Sequence, residues 1–347
     1  MSWTRGQYRM SLRQVSSFAI AAALSLGSGV RAATDPLSTA MQEVFQRSER
    51  AVVKIEAEDD GGDLSGSGFF VDPNGTIYTN YSVGGESHDI VVSNGVARYP
   101  ATRIAADPRS GLAILKIEAQ RTPFLPMGKS TDLAVASMVM AVGYPMDLPV
   151  TPTAGCVGGF GISSGDRYFA VSHIRANVPV QRGEGGAPLL NMQGEVVGVL
   201  ESSLDGGAGC FVLPIEAAEK VQSDVMHFGE ARPGWLGIRF DKTGEDATEG
   251  KIEVQGFVDD SPAAKSGVLP GDLILKVGDR KVSSLDDVMN ASFYMTAGVE
   301  VPLTVWRGGQ TMEVKVVPAL NPLAPAEQVS APSPVFSLSV RMGNGGN

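Results

Sequence analysis

Short apolar, β-branched runs, broken at close intervals by Gly, Pro, Asn and Asp, constrain this chain more than any other feature. Each break denies the length that a helix needs and supplies the backbone freedom that a tight turn needs. The first set contains Ala51-Val52-Val53-Lys54-Ile55, Gly68-Phe69-Phe70-Val71, Thr76-Ile77-Tyr78-Thr79, Ile90-Val91-Val92 and Leu112-Ala113-Ile114-Leu115-Lys116-Ile117. Asp72-Pro73-Asn74-Gly75 between two of these runs is a hairpin turn signature. A second set begins near Met138. It includes Val139-Met140-Ala141-Val142, Pro188-Leu189-Leu190 and Glu195-Val196-Val197-Gly198-Val199-Leu200, with the turn Asn191-Met192-Gln193-Gly194 before the last. Two groups of short antiparallel strands predict two small barrels. Helical periodicity is confined to 38–47 and to 215–228, the latter closing the domain.

A boundary is expected near Gly229-Glu230-Ala231-Arg232-Pro233. The smaller unit after it opens with Gly234-Trp235-Leu236-Gly237-Ile238 and runs to about Pro318. Its expected helix spans 284–295, with Ser284 and Asp287 in capping spacing. The Ala-, Pro-, Ser- and Gly-rich segment 320–347 is expected to be disordered. At the other end, Arg5, Arg9 and Arg13 precede the apolar run 18–26, which is too short to span a bilayer. Val30-Arg31-Ala32 supplies small residues at cleavage spacing, so 1–32 reads as an export signal cut after Ala32. Export leads to an oxidising compartment, a bacterial periplasm, in which Cys156 and Cys210 could form a disulfide.

Composition removes several function classes. A net charge of −10 with no basic run argues against nucleic acid as a partner. Three His and two Cys leave no recognisable metal spacing, so neither metal nor cofactor is expected.

Several landmarks together resemble the HtrA/DegP-type serine proteases. Gly66-Ser67-Gly68-Phe69-Phe70-Val71-Asp72-Pro73-Asn74-Gly75 through Thr79-Asn80 is similar to the first barrel of that family. Asp107-Pro108-Arg109-Ser110 before Leu112-Ala113-Ile114-Leu115-Lys116, then Ala141-Val142-Gly143-Tyr144-Pro145, then Pro188-Leu189-Leu190-Asn191 follow in the same order. Ser261-Pro262-Ala263-Ala264 and Gly271-Asp272 resemble landmarks of the family's PDZ domain. The resemblance implies a mainly β chain, a trypsin-like double β-barrel followed by one PDZ domain. It implies a protease-like domain over 33–228, a PDZ domain over 229–319, and possible homotrimers.

The resemblance also places a catalytic histidine at Ser82, an aspartate at Gly111 and the nucleophilic serine at Gly185 within Gly183-Glu184-Gly185-Gly186-Ala187-Pro188-Leu189. That mechanism needs a hydroxyl, an imidazole and a carboxylate, and none of the three positions supplies its group. Glu184 would add negative charge where an oxyanion develops. The expectation is therefore a degenerate triad, no enzyme, and a pseudoprotease. Ser82 with His88 and Asp89 is the candidate set for a rewired endopeptidase; His173 and His227 read as structural. In the PDZ-like unit, the resemblance assigns carboxylate binding to the backbone of Trp235-Leu236-Gly237-Ile238. A ligand strand would lie along Ile238-Arg239-Phe240, with Val288, Ala291 and Met295 as pocket residues. The expected partners are protein C-termini or unfolded polypeptides, and an active protease relative.

Overall fold

Strand pairing closes each of the two sets of runs into a barrel in the computed structural model, which describes residues 35–95, 97–164, 167–240 and 252–321. Helix α1 (Pro36–Ser48) leads into β1 (Val52–Asp59), β2 (Gly62–Phe70) and β3 (Thr76–Asn80). The one-turn helix α2 (Tyr81–Gly84) follows, then β4 (His88–Ser93), β5 (Arg98–Asp107) and β6 (Leu112–Ile117). These strands form a closed barrel in the order β1-β2-β3-β6-β5-β4. The β2–β3 hairpin turns where the sequence breaks. The Asp72 carboxylate accepts from the Asn74 amide at 2.8 Å, and Gly75 sits at φ +90°.

The second barrel contains β7 (Met138–Gly143), β8 (Thr151–Ser164), β9 (Arg167–Ala176), β10 (Pro188–Leu190), β11 (Val196–Leu204) and β12 (Gly209–Pro214). Its order is β10-β11-β12-β9-β8-β7. Helix α3 (Ile215–Phe228) closes the domain on the predicted residues, and Gly229 caps it in the left-handed region. The third unit is a sheet in the order β13 (Ile238–Phe240), β14 (Ile252–Phe257), β15 (Leu273–Val277), β17 (Val301–Arg307) and β18 (Gln310–Val316), with β16 (Arg280–Lys281) paired to β15. Helix α4 (Leu285–Phe293) covers one side. Ser284 caps it by accepting from the Asp287 amide at 3.1 Å. The helix stops short of the predicted Met295.

Each barrel encloses its own core, with Ile55, Ile77 and Leu115 in the first and Val139, Ile174 and Leu189 in the second. A third cluster lies between them. It joins Phe69 and Tyr78 to Met140, Val142 and Leu190, then to Val221 of α3 and Phe293 of α4. Barrels and sheet thus pack as one compact unit that begins at Met41.

The disulfide expectation is corrected: both cysteines are free thiols. Strand β9 lies between β8, which carries Cys156, and β12, which carries Cys210. Two strand spacings set the Cα atoms about 9.5 Å apart, beyond the roughly 7 Å that a disulfide spans. The leader and its cleavage after Ala32 lie outside the described residues, as does the tail beyond Asn321. No helix among the described residues is long and apolar enough to cross a membrane.

Candidate functional site

The three positions that the resemblance assigns to a triad converge where the barrels meet, and other side chains fill the space around them. Strand β3 delivers Asn80 to this seam. Its Nδ2 donates to Ser82 Oγ at 2.8 Å and to the Glu201 carbonyl at 3.3 Å. A Cβ on Gly185 would lie 2.6 Å from that same Nδ2. Gly111 has φ +74°, and a Cβ there would lie 2.7 Å from Glu201 Cδ. The Glu201 carboxylate therefore occupies the volume that an aspartate at position 111 would need.

Glu201 does not stand alone. Its Oε2 forms a short hydrogen bond with His173 Nε2, and both side chains are buried. His173 Nδ1 lies 2.9 Å from the Val171 carbonyl, so that nitrogen must donate. The ring stacks on Phe169 with centroids 4.1 Å apart. This buried acid–base pair was not visible in the sequence. His173 read as a core histidine, and Glu201 sits inside an apolar strand run.

The loop 183–186 is stitched to both barrels. Ser67 Oγ donates to the Gly183 carbonyl at 2.7 Å and accepts from the Tyr144 amide at 2.9 Å. The Ser67 amide donates to the Gly185 carbonyl, and the Gly186 amide donates to Leu200. Among the described residues, the amides of Gly183 and Gly185 donate to no protein acceptor. Two amides on one loop without a protein acceptor supply dipoles that suit a negative oxygen. Glu184 lies between these two glycines. Its Oε2 turns inward to accept from the Gln181 amide at 2.6 Å, and burial pushes its carboxyl above the usual range.

His88 is exposed and does not meet Ser82. Its ring contacts the Asp89 carboxylate at 3.2 Å. Glu58, His88 and Asp89 bring three donor atoms within 4.8 Å of one another, an exposed set that histidine spacing alone did not reveal.

The second site is the groove between β13 and α4. Among the described residues, strand β13 ends the sheet and no other strand pairs with its outer edge, the edge to which an added strand would pair. The preceding loop turns its carbonyls inward: Trp235 to the Ala319 amide, Leu236 to Ala263 and Gly237 to Val258. Gly237 has φ +69°, and a Cβ there would lie 2.4 Å from Ser261 Cβ, so only glycine fits. The amides of Leu236 and Gly237 donate to no acceptor among the described residues. All the predicted groove residues except Arg239 and Ala291 line a cavity of about 240 Å³. Arg239 is exposed on the strand edge, and Ala291 is buried in the core of the sheet unit. Ser292 takes the helix position next to it, and Ile274, Val277 and Leu303 form the apolar floor. Arg109, from the first barrel, also lines the cavity, and no sequence signal pointed to it.

Residues 66–199 match the family described as trypsin-like peptidase domain, and residues 234–317 match the PDZ domain. A Pseudomonas fluorescens protein named probable periplasmic serine endoprotease DegP-like is 33% identical over 264 residues, covering 72% of this chain and 55% of the relative. A Bartonella henselae protein of the same name is 33% identical over 264 residues, covering 72% and 52%. The chain spans about half the length of these relatives. The solved structure titled HtrA-type protease AlgW with tripeptide superposes with a TM-score of 0.67 at 23% identity, covering 81% of this chain and 97% of that one. These names correct the expectation that the chain is no enzyme, because the relatives are named serine endoproteases. The chain thus unites a mainly β, trypsin-like peptidase domain of two barrels with a PDZ domain, and the curated relatives it matches are named DegP-like.

Proposed function

We propose that the protein is an exported HtrA-type serine endopeptidase with a rewired site, which takes protein C-termini or unfolded segments into its PDZ groove and presents them to the paired barrels. The observation that carries the reading is the groove itself. A terminal strand, two loop amides without an acceptor among the described residues and an apolar cavity stand side by side, which suits an extended chain that ends in a carboxylate. For hydrolysis, the barrel seam offers the Gly183 and Gly185 amides, the Ser82 hydroxyl held by Asn80, and the hydrogen-bonded pair His173–Glu201. Export to the periplasm after cleavage behind Ala32 and assembly as a homotrimer belong to the same proposal. A second reading, favoured by the groove alone, is a chaperone-like holder, scaffold or regulator of an active protease relative.

The test has two arms on the purified mature chain. Labelled casein measures turnover, and a fluorescent peptide with an apolar C-terminus measures binding. Turnover that His173→Asn abolishes while peptide affinity stays unchanged is the expected result. No turnover above buffer would refute the endopeptidase reading and favour the holder. Absence of peptide binding would refute both.

A further inference from the structure

The groove borrows a residue from the barrel beside it. Arg109 lies two residues before Gly111, on the connection between β5 and β6. It nevertheless lines the PDZ cavity together with Trp235, Gly237 and Ser292. It is the sole ionisable side chain among the described lining residues, the rest being apolar, glycine, proline, serine or asparagine. Its guanidinium is fixed from two sides. Cζ stands 5.6 Å from the centroid of the Phe293 ring at the end of α4, and Nε lies 3.6 Å from Asp107 Oδ1. The Asp107 contact is long for a hydrogen bond, so donors of the guanidinium remain for another acceptor. The side chain is 29% exposed, enough for a ligand to reach it.

We propose that Arg109 belongs to the peptide site, supplying the positive side chain that meets the terminal carboxylate of a polypeptide whose last residue is apolar. This rests on the PDZ-groove reading above and goes beyond it. The site becomes composite: backbone amides come from the PDZ loop, and formal charge comes from the first barrel. Charge complementarity decides the ligand class. A cavity with apolar walls and one guanidinium at its rim favours a chain end that is both apolar and anionic over an internal segment. An Arg–carboxylate hydrogen bond adds geometry as well as charge, and is the stronger kind. The carboxylate would then sit between the guanidinium and the amides of Leu236 and Gly237.

The experiment compares two peptides of one sequence with an apolar C-terminus, one a free acid and one amidated, on the full chain. Wild type is expected to bind the acid about tenfold more tightly, the lower range for a hydrogen bond to a charged group. Arg109→Gln is expected to weaken the acid about tenfold and leave the amide unchanged. Arg109→Lys should retain part of the preference. An unchanged thermal midpoint for Arg109→Gln shows that the groove still stands. Equal losses for acid and amide would overturn the proposal, since Arg109 would then act only by packing against Phe293. An unchanged acid preference in Arg109→Gln would also overturn it while leaving the groove reading intact. Failure of wild type to bind either peptide would overturn the groove reading and this proposal together.

Discussion

Substitutions at Gly111 and Glu201 should be strongly coupled, and the size of the coupling follows from the seam. A Cβ at Gly111 meets Glu201 Cδ at 2.7 Å and Cγ at 2.9 Å, and φ is +74°. The left-handed backbone costs a non-glycine residue about 1–2 kcal/mol. Overpacking against a buried side chain costs about 1–3 kcal/mol more. Gly111→Ala should therefore destabilise the wild type by about 2–5 kcal/mol. Glu201→Ala alone leaves His173, 1% exposed, without its partner, and removing one member of a buried pair costs about 3–5 kcal/mol. In the Glu201→Ala background the steric conflict is gone. Gly111→Ala should then cost only the backbone share, about 1–2 kcal/mol. The double variant should thus be less destabilised than the sum by about 1–3 kcal/mol. Urea unfolding followed by circular dichroism measures all four proteins, with equal slopes as the check that they unfold alike. Additivity within about 0.5 kcal/mol would refute the claim that Glu201 fills the volume beside Gly111.

Three further outcomes are expected. Burial holds the Glu184 carboxyl above its usual range, so the folded state binds that proton more tightly than the unfolded state does. Stability is lost as pH rises from the ordinary carboxyl value through the folded one, and Glu184→Gln should exceed wild type in stability at pH 7 but not at pH 4; a difference independent of pH would count against this. Asp272 behaves in the opposite sense: Arg307 donates to it twice at 2.6 Å and holds its carboxyl low. Its stabilisation is present above the ordinary carboxylate value and fades in acid, so Asp272→Asn should flatten the acid limb of the unfolding profile, and an unaltered limb would contradict the pairing. Finally, a maleimide should label half-buried Cys156 in the native protein and spare Cys210, whose thiol burial pushes up to about 12, while dithiothreitol should leave the thermal midpoint unchanged. A midpoint that drops on reduction would mean the thiols are bonded.

Much of the architecture was legible because it rests on local chemistry. Asp72 and Asn191 each fold a turn by accepting amides two and four residues ahead, and a glycine with positive φ completes each turn. Such signals lie within a few residues of one another, so a sequence displays them directly. The α3 boundaries were legible for the same reason, with Gly229 as the left-handed cap. The groove was legible through landmarks, but not side chain by side chain. Ala291 and Ser292 are adjacent on α4, and only the helix's rotation against the sheet decides which one faces the cavity. The seam was illegible. Asn80 and Glu201 are 121 positions apart, and nothing local marks the pair. His173 and Glu201 meet only because β12 lies between β9 and β11 in a closed barrel. The disulfide expectation failed for a related reason: two cysteines suit an oxidising compartment, yet strand order, which spacing does not encode, keeps them apart.

The same topology fixes one wall of the groove. Helix α4 is a wall of the groove through Val288 and Ser292, and other residues of it bind the barrels. Asn290 Oδ1 accepts from the Ser172 amide of β9 at 2.9 Å, one residue before His173. The Phe293 ring is flanked by Arg109 of the first barrel and Lys220 of α3, each 5.6 Å from its centroid. Just past the helix, Thr296 Oγ1 donates to Asp224 Oδ1 at 2.8 Å, and that carboxylate also accepts from Lys220 and from the Arg232 amide. Asp224 is nearly fully buried, so detaching the sheet unit would leave its carboxylate short of a partner and expose the Phe293 ring. Both changes are unfavourable, the first through an unsatisfied buried acceptor and the second through lost apolar burial. The barrels therefore set the position of α4, and with it the width of the groove. An excised PDZ unit would lose Arg109 and the anchors of α4 together, and would present a different groove.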